Sequence, residues 1–142
     1  MQVSVILQSK GSTVHTVPET ALVEEAVAVL NRANIGAVVV VGGDGEVAGI
    51  LSERDVVRLL GRDPAGALGR PVRECMTSRV VTCSRDTMIS DLMEQMTRHR
   101  IRHMPVVEDG ALKGIVSIGD VVKRKIEETE QETEALREYI AM

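Results

Sequence analysis

Apolar positions follow two rhythms along this chain, one of period near 3.6 and one of unbroken β-branched runs, and the pair of rhythms occurs twice. Val3, Ile6 and Leu7 stand at helical spacing ahead of Ser9-Lys10-Gly11-Ser12, which predicts a short docking helix and a loop. Val14 to Val17 reads as a brief strand, and Pro18-Glu19-Thr20 as the start of a helix whose apolar face is Leu22, Val23, Ala26, Val27 and Leu30. Ile35-Gly36-Ala37 leads into Val38 to Val41, a run suited to a strand covered on both faces. Gly42-Gly43-Asp44-Gly45 is turn chemistry, Val47 to Leu51 is the returning strand, and Ser52 opens a helix that ends before Gly61.

Setting Val14 on Val80 superposes a second copy of this pattern. Thr16 then falls on Thr82, Leu22 on Met88, Val23 on Ile89, Ala26 on Leu92, Val27 on Met93 and Leu30 on Met96. Ile35 falls on Ile101 and Val40 on Val106, and the turn shortens by one residue at Glu108-Asp109-Gly110, so that Ser52 and Asp55 meet Ser117 and Asp120. This is an internal repeat. Each unit reads strand, helix, strand, strand, helix, and is too small to bury a comfortable core alone. The expected fold is mixed α/β (α+β): two β-α-β-β-α units packed sheet to sheet about a pseudo-two-fold axis, sharing one core. The expected division is residues 1–62 for the first unit with the N-terminal helix, 63–73 for a Gly-, Ala- and Pro-rich linker, 74–126 for the second unit, and 127–142 for a C-terminal helical extension.

Beyond Asp120 the helix is expected to run on to the end: Val122, Ile126, Thr129, Thr133, Leu136 and Ile140 step by four and three, with acids on the other faces. Two outcomes stand open: a solvated amphipathic helix packed on its own domain, or a seam to a second subunit.

Composition narrows the function. Tyr139 is the only aromatic residue and the net charge is −4, so neither base-stacking platforms nor a basic field for nonspecific DNA binding are present. No stretch approaches the length of a membrane span and the N-terminus lacks signal-peptide features, which predicts a cytoplasmic protein. Cys75 and Cys83 match no zinc or redox spacing and read as two reduced thiols.

The chemistry sits in Gly49-Ile50-Leu51-Ser52-Glu53-Arg54-Asp55 and Gly114-Ile115-Val116-Ser117-Ile118-Gly119-Asp120. A serine followed three residues later by an acid is, at its plainest, a capping box. The same geometry also suits a ribonucleotide. The helix N-terminus offers free N–H groups to a phosphate, the serine hydroxyl can donate, and an ionised aspartate can accept from both hydroxyls of a ribose.

Through these two stretches, and through Arg100-Ile101-Arg102-His103-Met104-Pro105-Val106-Val107, the chain resembles the tandem cystathionine-β-synthase (CBS) domain proteins, stand-alone bacterial Bateman modules, over residues 3 to 125. The resemblance implies two clefts between the paired sheets that bind adenosine derivatives: AMP, ADP, ATP, S-adenosylmethionine or NAD. Carried over, cleft A would use Ser52, Arg54 and Asp55 with Val80, Val81, Ile101, Arg102, His103 and Pro105. Cleft B would use Ser117, Gly119 and Asp120 with Val14, His15, Ile35, Gly36 and Ala37. Arg102-His103 corresponds to Gly36-Ala37 and Arg54 to Gly119, so A is expected to carry the cations and to prefer a polyphosphate or dinucleotide, and B a monophosphate or nothing. The resemblance further implies a homodimer, paired face to face into a disc, and an energy-sensing regulatory role toward a protein partner not identified.

No nucleophile with a base and no acid pair beyond the caps is evident, so the chain reads as a binding module and not an enzyme. His99 and His103 are spaced like a metal pair, but Pro105 follows closely and no carboxylate or cysteine completes a set; no metal and no obligatory cofactor are expected. The competing reading is a constitutive dimerisation scaffold in which both Ser-x-x-Asp pairs are caps only.

Overall fold

The computed structural model describes residues 1–142. Helix α1 spans Val3–Lys10. The first repeat holds β1 (Thr16–Pro18), α2 (Val23–Ala33), β2 (Ala37–Val41), β3 (Val47–Ser52) and α3 (Glu53–Arg62). Two 3-10 turns, Ala67–Gly69 and Val72–Glu74, form the connection. The second repeat holds α4 (Ile89–His99), β4 (His103–Glu108) and β5 (Ala111–Ser117), and ends in the long α5 (Ile118–Ala141).

Strand β1 pairs parallel to β2 across the α2 crossover, and β2 pairs antiparallel to β3; β4 and β5 repeat the hairpin. A register shift falls between Val40 and Val41 in one repeat and between Val106 and Val107 in the other, so even the irregularity is duplicated. Val38 and Val40 point into the helix-covered core, while Val39 points to the opposite face and is equally buried. Strand β2 is thus covered on both sides, as its unbroken valine run predicts.

The structure departs from the sequence pattern at four points, the smallest being that α3 runs through Gly61 to Arg62 and does not stop before it. The helix of the first repeat begins at Val23, not at Pro18. Pro18 ends β1, its carbonyl accepts the Ala21 N–H, and Leu22 stays extended while its N–H donates to the Glu25 carboxylate at 2.7 Å. No strand forms over Val80 to Thr82; only Cys83 bridges Val106. In the first repeat the Val39 N–H donates to the His15 carbonyl, but the matching residue in the second is Pro105, which has no N–H to give. The buried residues form two clusters, one per repeat, instead of one shared core.

What joins the two cores is an exchange of leading segments. Helix α1 precedes the first repeat but buries Val3, Ile6 and Leu7 in the core of the second. There Val3 N–H donates to Thr87 and Ile89 N–H to Met1. The connection precedes the second repeat but docks on the first, with Val72 N–H donating to Ala21 and Val23 N–H to Arg70. Val3 and Val72 are both fully buried. Each leading segment also passes over a glycine: Met76 lies against Gly49, and Leu7 against Gly114.

Helix α5 leaves the body. Val121 is its one buried residue, and from Thr129 onward every residue is exposed, so the helix does not pack along its own domain.

Candidate functional site

Both Ser-x-x-Asp pairs cap their helices. The Ser52 N–H donates to Asp55 Oδ2 at 2.9 Å and the Asp55 N–H returns to Ser52 Oγ at 3.3 Å. Ser117 and Asp120 repeat this at 2.9 and 3.2 Å. Each cap uses Oδ2 alone, and a hollow lies beside each helix start.

The opposite wall of each hollow is set by a helix end. Helix α2 stops at Asn34 and α4 at Arg100, both left-handed at φ 53 and 55. The next N–H reaches back to a helix carbonyl, Ile35 to Leu30 and Ile101 to Met96. The reversal delivers Gly36-Ala37 and Arg102-His103 to the hollows immediately afterwards.

Hollow A has a volume of about 350 Å³. It brings together Ser52, Arg54 and Asp55 with Ile101, Arg102 and His103. Val80, Val81 and Pro105 do not line it. Pro105 is buried in β4 and its carbonyl accepts the Cys83 N–H, Val81 packs on the second core, and the strand that would have presented Val80 is missing. Arg58 and Arg100 join instead, with Glu53, Thr77 and His99. Arg58 was legible as one helical turn beyond Arg54; Arg100 required the left-handed cap. Arg54, Arg58, Arg100 and Arg102 form no ion pair, so four guanidinium groups around one cavity are free to meet an anion.

Hollow B, about 320 Å³, brings together Val14, His15, Ile35, Gly36, Ala37 and Ser117. Gly119 and Asp120 lie outside its lining. Gly119 is turned along α5, and Asp120 is covered by a residue that sequence reasoning missed. Lys10, at the end of α1, places Nζ 2.7 Å from Asp120 Oδ2 and 3.0 Å from the Ile115 carbonyl. The matching carbonyl in the first repeat, Ile50, accepts the Thr77 N–H. Cleft B therefore has a cation after all, one that only the exchange of leading segments could bring there. Burial pushes the Asp120 carboxyl up, but the Lys10 and Ser117 hydrogen bonds together with the Lys10 charge outweigh it and hold the group below its ordinary value.

Lys10→Met is expected to cost about 1 kcal/mol at pH 7, since the two side chains remain 34% and 24% exposed. A depressed carboxylate stabilises above its unfolded value, near 4, and ceases to as the pH falls through its folded value. The deficit, measured by thermal unfolding, shrinks below about pH 4; a deficit equal at pH 7 and pH 3 contradicts the ion pair.

His103 lines both hollows and separates them. The imidazole packs closely on Gly36, where a Cβ would stand 3.2 Å from both Cε1 and Nε2 of the ring. Burial, then the Lys10 charge, lowers the His103 pKa. The Cys83 thiol is pushed up to about 12, chiefly by burial, and is inert as a nucleophile.

The duplicated unit matches a known domain. The CBS domain model matches residues 11–62 and 72–127. The chain belongs to the CBS-domain family. Among relatives, the mitochondrial CBS domain-containing protein CBSX3 of Arabidopsis thaliana is 34% identical over 148 residues, covering 97% of this chain and 71% of that protein. The CBS-domain containing protein ATU1752 from Agrobacterium tumefaciens superposes with a TM-score of 0.85 at 44% identity, over 87% of this chain and 92% of that one. The CBS domain protein PAE2072 from Pyrobaculum aerophilum, solved in complex with AMP, superposes with a TM-score of 0.76 at 28% identity, over 84% and 89%. The CBS repeats of this chain carry no helix long and apolar enough to cross a membrane.

Proposed function

We propose that this chain is a non-catalytic regulatory module of the reducing cytoplasm that binds adenosine nucleotides in its two clefts. The observation that carries the reading is the wall of cleft A. The capped start of α3, with Asp55, carries Arg54 and Arg58 on the same helix and faces Arg100 and Arg102 across the cavity; none of the four is ion-paired, although Glu53 also lines the space, in a chain of net charge −4. Such a cavity suits a ligand with a diol at one end and several negative charges at the other. ATP, ADP or NAD is the proposed occupant of A, and AMP that of B, whose lining lysine, Lys10, is already paired with Asp120. The AMP carried by the Pyrobaculum relative supports the adenosine class.

One observation favours the scaffold reading: both aspartates are already engaged as caps. A thermal-shift panel of adenosine, AMP, ADP, ATP and NAD separates the two. A ligand present at 100 times its dissociation constant adds about 2.7 kcal/mol, a shift of several degrees in a domain of this size. ATP or ADP is expected to raise Tm more than adenosine does. No shift with any of the five contradicts the proposal and leaves the scaffold.

A further inference from the structure

Helix α5 presents a stripe of Val122, Ile126, Thr129, Thr133, Leu136 and Ile140 that nothing in the chain covers. Ile126 is 54% exposed, Leu136 59% and Ile140 74%. A helix extending alone into water from a folded body has only its own propensity to hold it, which is marginal at this length. The flanks of the stripe say what covers it. Placing Ile126, Thr133 and Ile140 at heptad position a puts Val122, Thr129 and Leu136 at d, Lys125 and Glu132 at g, and Lys123, Glu130 and Arg137 at e.

We infer that α5 pairs in parallel and in register with α5 of a second copy of this chain, through a short two-stranded coiled coil. In that arrangement each g residue meets the e residue of the following heptad on the other helix. Lys125 then faces Glu130 of the second copy and Glu132 faces Arg137 of the second copy; both contacts join opposite charges, and the two-fold axis doubles them. The antiparallel arrangement of the same seam brings e against e, setting Lys123 on Arg137 and Glu130 on Glu130, like on like. Ile126 and Ile140 at a, with Leu136 at d, are also choices that favour two parallel strands. The two threonines fit the seam because their hydroxyls are satisfied within the helix. Thr129 Oγ1 donates to the Lys125 carbonyl and Thr133 Oγ1 to the Thr129 carbonyl, each at 2.9 Å, so pairing buries no unmade donor. The inference is independent of any nucleotide.

The test uses the full chain with Cys75→Ala and Cys83→Ala. Leu136→Cys places a thiol on the seam, and Gln131→Cys places one on the opposite face. Mild oxidation is expected to give a disulfide-linked dimer with Leu136→Cys at least tenfold faster than with Gln131→Cys. No linkage at Leu136→Cys, or equal rates, overturns the parallel seam. Charge swapping reads the orientation separately. Glu132→Lys and Arg137→Glu each place like charges across the homodimer, while a mixed pair restores both contacts. Native mass spectrometry of the two variants mixed is expected to show mixed dimers well above half of all dimers; the statistical half, or no dimer at all, overturns the pairing.

Discussion

Asp55→Asn is expected to weaken ATP binding in cleft A by roughly a hundredfold, about 2.7 kcal/mol, while barely changing the stability of the fold. The asparagine oxygen still accepts the Ser52 N–H that Asp55 Oδ2 accepts at 2.9 Å, so the helix keeps its cap. What it loses is the charge that strengthens the hydrogen bonds from a ribose diol. Asp120→Asn is expected to leave this affinity within a factor of about three, because Asp120 lies outside hollow A. Titration calorimetry of both variants with AMP, ATP and NAD reads the difference. Equal losses for every ligand in both variants contradict the assignment of distinct roles to the clefts.

Gly49→Ala is expected to destabilise the chain by about 2–3 kcal/mol, and the equivalent Gly114→Ala by about 1 kcal/mol. Neither glycine has a positive φ, so the effect is one of space and not of backbone strain. A Cβ at Gly49 would lie 2.8 Å from Met76 Cγ and 2.9 Å from the Thr77 carbonyl oxygen. Thr77 cannot retreat without breaking two backbone hydrogen bonds, its N–H to the Ile50 carbonyl at 2.9 Å and the Ile50 N–H to its own carbonyl at 3.0 Å. A Cβ at Gly114 would meet only the Leu7 side chain, nearest at Cδ2 at 2.7 Å, and a leucine end can turn aside. Urea unfolding with an unchanged slope measures both. Equal losses at the two positions would mean that the connection does not hold the first repeat in the way described.

How much of this could be read from the chain alone follows the range of the interactions. The duplicated caps at Ser52 and Ser117, the apolar faces of α2 and α4, and the doubly covered β2 are local patterns, and the residues state them directly. The start of α2 was misplaced because Pro18 is equally at home ending a strand and opening a helix; the Glu25 contact to Leu22 decides it. The missing strand before Cys83 depends on Pro105, more than twenty residues away, withholding one N–H. Lys10 could not be foreseen at all. Its place beside Asp120 follows from α1 burying Val3, Ile6 and Leu7 in the second core, and helical spacing tells which face is apolar without telling which core receives it. Cleft B was therefore read as short of cations for want of a contact more than a hundred residues apart in sequence. The hollow beside Ser52 brings Arg54 and Asp55 together with Ile101, Arg102 and His103, which the repeat makes legible, whereas Val80, Val81 and Pro105 lie outside it and Arg58 and Arg100 line it as well.

The same contrast bears on regulation. Cleft A and cleft B share Gly36 and His103 in their walls. Any coupling between the clefts requires a ligand to bind two arrangements with different affinity.

Native mass spectrometry of the whole chain with ATP tests the central claim most directly, because it counts bound nucleotides per protomer. The account predicts at least one ATP per chain, lost in Asp55→Asn and retained in Asp120→Asn. A spectrum with no bound nucleotide, or one in which Asp55→Asn retains as much ATP as the unaltered chain, contradicts it.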